Sequence, residues 1–406
     1  MAFSASTASR LFRRPLSRRE WLGAALLGAL LAWYLSAGIP RPVPPSPASP
    51  ANSALMRVDD LTVVTLNRSL QAPWGMAFLP DGRILVTQKT GSMVILSADG
   101  RTIETTVGGL PAVVNAGQGG LLDVALDPDF ATTPWVYWTY AEAGSGSEAG
   151  LSGTAVARGR LIGNQLQDVA VIYRQAPKVS GNGHFGSRLV FRSDRTLFVT
   201  LGERQKGGPA QDLASALGKV IRIARDGSVP AGNPPIAGAR PEIWSYGHRN
   251  PQGAALRPGS DELWLSEHGP QGGDELNRVR PGANYGWPLV SYGCDYGQPV
   301  GEACRIGGGT HAPRFTEPVS TWVPVSIAPA GLLFYTGKGF PAWQGDVFIG
   351  ALAGTALWRI TLDGDREVGR QRLLAPLGER IRDVAQGPDG WIYLLTDSGK
   401  LLQLRD

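Results

Sequence analysis

The sequence predicts an all-β chain folded as a six-bladed β-propeller of four-stranded antiparallel blades, and three observations carry that prediction. Its 406 residues include 54 glycines and 31 prolines beside 12 tryptophans, a mixture suited to short strands joined by tight turns. Runs of about five to seven residues alternate apolar and polar, the period of half-buried strands, and none keeps a useful helical period. One phrase also recurs six times: a strand, a Pro/Asp/Gly turn, a second strand ending in a small polar residue, then a third strand.

The first copy is Trp74 to Gly82 followed by RILVTQKTGSMVIL, and the second is Gly120 to Phe130 followed by WVYWTY and TAVARGRL. The third runs from His184 through TLFVTLGE and GKVIRI, and the fourth from Gly247 through AALRPGSDELWLSEHG to DELNRV. The fifth starts at Gly331 and the sixth at Ile381. Successive turns lie about 50 to 80 residues apart, more than a minimal propeller repeat, so long loops must leave several blades. The strand Leu61 to Leu66 precedes the first copy and the last copy ends the chain, so the two are expected to share one blade and close the ring.

Residues 1–40 form a separate unit, with arginines at 10, 13, 14, 18 and 19 and then an uncharged apolar run from Trp21 to Ile39. This is an export signal, and Ser17 to Leu22, which holds Arg18-Arg19, is similar to a twin-arginine signal. A periplasmic or other extracytoplasmic location is expected. The apolar run is also long enough to span a bilayer, so an uncleaved anchor stays open beside cleavage near Ser36-Ala37-Gly38. Residues 41–54 read as a Pro/Ser/Ala-rich spacer and residues 55–406 as the propeller domain. The leader holds most of the net charge of +5, leaving about +1 for the rest, so no electrostatic argument for nucleic acid exists. Cys294 and Cys304 can pair in an exported protein; two free thiols is the alternative.

Of the four histidines, His184, His248 and His268 fall where a blade begins or a strand meets the channel, and His311 lies in plain loop sequence. None has transition-metal spacing. His184 follows a glycine-rich loop and reads either as a general base at the channel mouth or as a cap on loop carbonyls. The segment Gly247 to Gly253 packs Arg249, Asn250 and Gln252 into one turn, more donors than a structural turn requires. Glu267 to Glu275 offers carbonyls and carboxylates of the kind calcium prefers, although such loops are commonly plain solvated turns.

Five motifs in order, GQGGLLDVALDPDF, GHFGSRL, GHRNPQG, SEHGPQGGDELN and NYGWP, resemble the soluble quinoprotein glucose and aldose sugar dehydrogenases over about residues 60 to 405. The resemblance implies oxidation of an aldose at its anomeric carbon with pyrroloquinoline quinone (PQQ) and calcium, His184 being the base and Arg249 polarising a quinone carbonyl. It further implies that Gln118, Asn250, Arg380 and Arg382 surround the cofactor. The carbonyls of Gly269 and Pro270 would hold its calcium, and Glu275 and Tyr285 a second, structural one. The partners so implied are an aldose and an external electron acceptor, a membrane quinone or a soluble carrier, with the enzyme a monomer. Gly183 and Ala353 replace an aspartate and a lysine of the glucose-oxidising branch, and His268 a glutamine, which points to the broader aldose branch. Trp322 would either stack on the quinone or sugar or pack between blades.

Two other functions suit a propeller: a calcium-dependent lactonase or other hydrolase, which needs carboxylate side chains converging on the channel, and a non-catalytic module binding carbohydrate or protein.

Overall fold

The computed structural model describes residues 55–406; the leader and spacer expected over residues 1–54 lie outside them. Six sheets, each a blade, follow one another along the chain. Blade 1 comprises Pro73–Phe78, Ile84–Gln88, Ser92–Leu96 and Ile103–Val107, and blade 2 Leu121–Leu126, Trp135–Ala143, Ser152–Ile162 and Gln165–Arg174. Blade 3 comprises Gly186–Phe191, Leu197–Leu201, Lys219–Ile223 and Ile243–Tyr246, and blade 4 Pro251–Leu256, Leu263–Glu267, Asp274–Arg278 and Ser320–Trp322. Blade 5 comprises Pro329–Phe334, Val347–Ala351, Ala356–Asp363 and Arg366–Leu373.

Blade 6 closes the ring as the sequence predicts. Its strands Ile381–Gln386, Ile392–Thr396 and Leu401–Arg405 are joined by Leu61–Asn67 from the other end of the domain, with Val63 opposite Leu404 and Val64 opposite Gln403. A fifth, outer strand, Leu55–Val58, extends this sheet beyond the four expected.

The repeated turns explain the Asp-Gly spelling of the repeat. In blade 1 the Asp81 carboxylate accepts the Arg83 N–H at 3.1 Å and Gly82 takes φ +88°; Asp389 and Gly390 (φ +93°) do the same in blade 6. A short acidic side chain satisfies the turn amide and glycine adopts the left-handed conformation without a Cβ penalty. Blade 3 builds the same turn on Asp194 but places Arg195 at φ +65°.

Apolar burial is divided among the blade junctions. Leu85 and Ile95 pack on Trp138 and Ala157 between blades 1 and 2, Tyr137 and Val156 on Val199 and Ile221 between blades 2 and 3, and equivalent clusters fill the other junctions. The small polar residue that ends each second strand now has a role. Thr87, Thr139, Thr200 and Ser266 each donate a hydroxyl to a carbonyl of the next blade's inner strand, those of Leu122, Ser187, Pro251 and Ala330. Gly350 and Leu395 hold the equivalent positions in blades 5 and 6.

Near the start of every inner strand the pairing register slips, a bulge that turns side chains out of simple alternation. These bulges supply an axial knot. Arg188 of blade 3 binds Asp123 of blade 2 and Asp383 of blade 6, each at 2.9 Å, donates from Nε to the Gln252 carbonyl of blade 4 at 2.7 Å, and lies over the Trp74 ring of blade 1. Gly75 and Gly331 make room for the two carboxylates, since a Cβ there would lie 2.6 Å and 2.5 Å from their oxygens. Burial pushes Asp383 up to about 6, against the pull of Arg188.

Removing one partner from a buried ion network leaves uncompensated charge, which costs roughly 3–5 kcal/mol. Arg188→Leu in the leaderless protein is therefore expected to lower the apparent melting temperature by about 10 °C. A melting curve coincident with that of the parent protein would show that the knot does not hold the blades together.

Candidate active site

Residues that enter an inner strand and residues that leave a second strand all meet at one end of the channel. Gln118, His184, Arg249 and Ala328 stand at the entries of blades 2 to 5, and Gln205, His268, Gly269 and Ala353 follow second strands. Together they line a cleft of about 630 Å³, within the range usual for small-molecule sites. Pro270, Tyr296, Val300 and Val325 form more of its wall.

His184 is only 5 % exposed and sits at φ +52°. Three contacts hold it there: its N–H donates to Gln118 Oε1 at 2.8 Å, its carbonyl accepts the Arg204 N–H, and its Nδ1 lies 2.5 Å from Glu203 Oε1. Glu203 is itself fixed by the amides of Lys206 and Gly207. With Nδ1–H committed to the carboxylate, the Nε2 lone pair is left free, and Nε2 has no hydrogen bond among the described residues. Among the described residues neither ring nitrogen caps a loop carbonyl.

Arg204 binds the loop before His184 from below. It is fully buried, donates to the carbonyls of Gly183, Ser152 and Gly181, and stacks 3.7 Å from the Phe185 ring centroid. Lacking a carboxylate partner there, its buried guanidinium is pulled down to about 10. Glu203 and Arg204 were not singled out in the sequence; the only cue was LGERQ leaving a second strand.

Arg249 anchors its backbone N–H on Glu267 at 2.8 Å and lies over the Trp287 ring. Among the described residues its guanidinium has no carboxylate partner; Nη1 reaches only the His268 carbonyl, at 3.4 Å, and the buried Nε is unpaired. The charge is felt by its neighbours. Burial first, then Arg249, holds His184 below its ordinary value, with Glu203 opposing. His268 is lowered further by burial, Arg249, His184 and Arg382, so it is neutral, donating from Nε2 to the Pro329 carbonyl at 2.8 Å. Burial opposes ionisation of Glu203, but His184 and the Gly207 N–H keep its carboxyl below the usual range.

The other expected residues divide. Asn250 spends Oδ1 on the Gly186 N–H and directs Nδ2 at His268 Nδ1, so its amide builds the site wall. Arg380 and Arg382 share the single carboxylate of Asp397, and Arg382 also holds Gln252 Oε1, leaving this rim net positive. The carbonyls of Gly269 and Pro270 accept no hydrogen bond among the described residues. Asp274 fixes their loop by accepting from Gly269, Ser326, Ile327 and Ala328.

Glu275 and Tyr285 already have protein partners through their side chains. The carboxylate of Glu275 is closed by His311 Nε2 at 3.3 Å and Asn277 Nδ2 at 2.9 Å, and the Tyr285 phenol donates to the Arg278 carbonyl. Among the described residues no group of three or more His, Cys, Asp or Glu side chains is placed to hold a metal. His248 lies where blade 4 begins, as expected, and is fully buried between Glu267 and Ser245, stacking on Tyr285. Trp322 packs between blades 4 and 5 against Trp358, not in the cleft. Cys294 and Cys304 form a disulfide that closes the loop bearing Tyr296 and Val300.

The model of the glucose / sorbosone dehydrogenase family matches residues 70–403. The chain is 44% identical over 353 residues to aldose sugar dehydrogenase YliI of Escherichia coli, covering 85% of this chain and 92% of that protein. A crystal structure of a glucose dehydrogenase superimposes with TM-score 0.79 at 47% identity, covering 84% and 99% of the two chains. The PQQ-bound aldose sugar dehydrogenase of Streptomyces coelicolor superimposes with TM-score 0.71 at 30% identity, covering 87% and 99%.

Because Glu203 raises the affinity of His184 for a proton and Arg249 lowers it, the two can be separated by substitution. Glu203→Gln is expected to move the His184 titration further below its ordinary value, and Arg249→Leu to move it up, as read from imidazole NMR signals between pH 4 and 8. Shifts in the opposite senses would contradict the assigned contacts.

Proposed function

The chain belongs to the glucose / sorbosone dehydrogenase family, and we propose that it oxidises aldoses at the anomeric carbon to lactones with PQQ and calcium. The observation that carries this reading is a neutral, carboxylate-held imidazole with a free Nε2 beside an unpaired buried guanidinium, in one cleft.

His184 Nε2 takes the proton of the anomeric hydroxyl while the C1–H electron pair departs as hydride and C1 becomes a carbonyl carbon. Glu203 keeps Nδ1 protonated and stabilises the imidazolium that results. PQQ, when bound, supplies the hydride acceptor, and calcium a Lewis acid on the quinone. The unpaired Nε of Arg249 suits a developing negative oxygen, and the net positive rim of Arg380 and Arg382 suits the cofactor's carboxylates. Gln118 and Asn250 would complete the cradle, and the unengaged carbonyls of Gly269 and Pro270 are the available calcium ligands. The chemistry needs no second calcium at Glu275 and Tyr285.

Hydrolysis is less well supported, because the channel carboxylates Asp123 and Asp383 are both bound by Arg188. A purely binding propeller would have no use for a proton acceptor held this way. The electrons would pass to an external acceptor, the chain having no haem Cys-x-x-Cys-His motif. The expected export signal supports a periplasmic location.

The test is dye reduction by the leaderless protein with a panel of aldoses, with and without PQQ and calcium. The expected result is cofactor-dependent activity that falls about 10²- to 10⁴-fold in His184→Ala and declines toward acid only below pH ~6.5, the ordinary histidine value. Absence of both cofactor binding and sugar oxidation would overturn the reading.

A further inference from the structure

The turn that carries Glu203 and Arg204 places one more side chain in the cleft, and the function proposed above leaves it unused. Gln205 lines the cleft with Gln118, His184 and Arg249. Its side-chain amide makes no hydrogen bond among the described residues.

Its position is built. Arg204 and Gln205 are consecutive non-glycine residues in the left-handed region, at φ +60° and +58°, a strained conformation that persists only where its surroundings enforce it. Here the Glu203 carboxylate, gripping the amides of Lys206 and Gly207, and the buried Arg204 guanidinium enforce it. The amide then lies over Gly183, the residue before His184. A Cβ at Gly183 would stand 2.6 Å from Gln205 Oε1 and 2.8 Å from Nε2, so the glycine is what lets the amide occupy that space. Gly183 itself is not in the left-handed region, so its backbone gives no other reason for glycine.

We infer that Gln205 is a substrate-contacting residue that recognises, through its amide, a hydroxyl neighbouring the one His184 deprotonates. An amide presents a donor and an acceptor without charge, which matches a hydroxyl, and a group resting on Gly183 can reach a ring carbon next to the reacting one. The turn 203–205 thus joins two tasks: Glu203 orients the base and Gln205 orients the sugar. This inference rests on the aldose-oxidising reading.

The test compares an aldose with its 2-deoxy analogue through kcat/KM in the PQQ- and calcium-loaded enzyme. A neutral hydrogen bond is worth about 3- to 10-fold, so Gln205→Ala should reduce the discrimination between the two sugars by about that factor. Gly183→Ala, whose methyl displaces the amide, should reproduce the loss, and the double variant should add nothing further. PQQ affinity and melting temperature, measured alongside, separate this effect from damage to the fold. Discrimination preserved in Gln205→Ala, or effects of the two substitutions that simply add, would overturn the inference while leaving the function standing. A parent enzyme that oxidises no aldose would overturn both.

Discussion

The Arg188 guanidinium on the channel axis is the contact on which the rest of the architecture depends. Apolar burial in a propeller joins each blade only to its neighbours, so distant blades are tied together by polar side chains that cross the channel, Arg382 to Gln252 among them. Arg188 draws on blades 1, 2, 4 and 6 from its place in blade 3. Its partners come from bulges, where a strand departs from alternation and turns a polar side chain into the channel. Two acids share one cation in a buried place, and burial pushes both Asp123 and Asp383 up against the pull of Arg188.

Above this knot the sign of the charge reverses. Arg249 is unpaired, Arg380 and Arg382 have one carboxylate between them, and Lys89 is lowered by burial and by Arg382. A buried excess of cations is costly unless it serves an anion. Burial first, and these cations with it, holds His184 and His268 below their ordinary values, so the same cations that favour an anionic guest also favour a deprotonated base.

The fold was legible in the sequence because a propeller writes itself locally: alternating runs recur in each copy, with acidic turns and small polar strand ends in several of them, and the seam between Leu61–Asn67 and Leu401–Arg405 follows from a strand left over at each end. His184, Arg249 and the disulfide were legible through glycine-rich or donor-dense loops. Glu203, Arg204 and Gln205 were not, since their meaning comes from contact with a loop about twenty positions earlier that no period announces. Arg188 was hidden for the same reason, its carboxylates lying far away along the chain. His248 shares a motif with Arg249 yet is fully buried against Glu267, Ser245 and Tyr285, away from the cleft lining.

The distribution of hydroxyl bridges has a consequence for how the ring closes. Four successive junctions, from blade 1 through blade 5, are clasped by a threonine or serine hydroxyl; the two flanking the closing sheet have Gly350 and Leu395 instead. That sheet also contains the most non-local strand pairing described, Thr62 with Arg405, whose loop-closure entropy amounts to about 5 kcal/mol for an open chain of that length. Blades 1 to 5 therefore form a continuous arc of hydroxyl-bridged sheets, and blade 6 is the clasp that closes it through the pairing of the two ends of the domain.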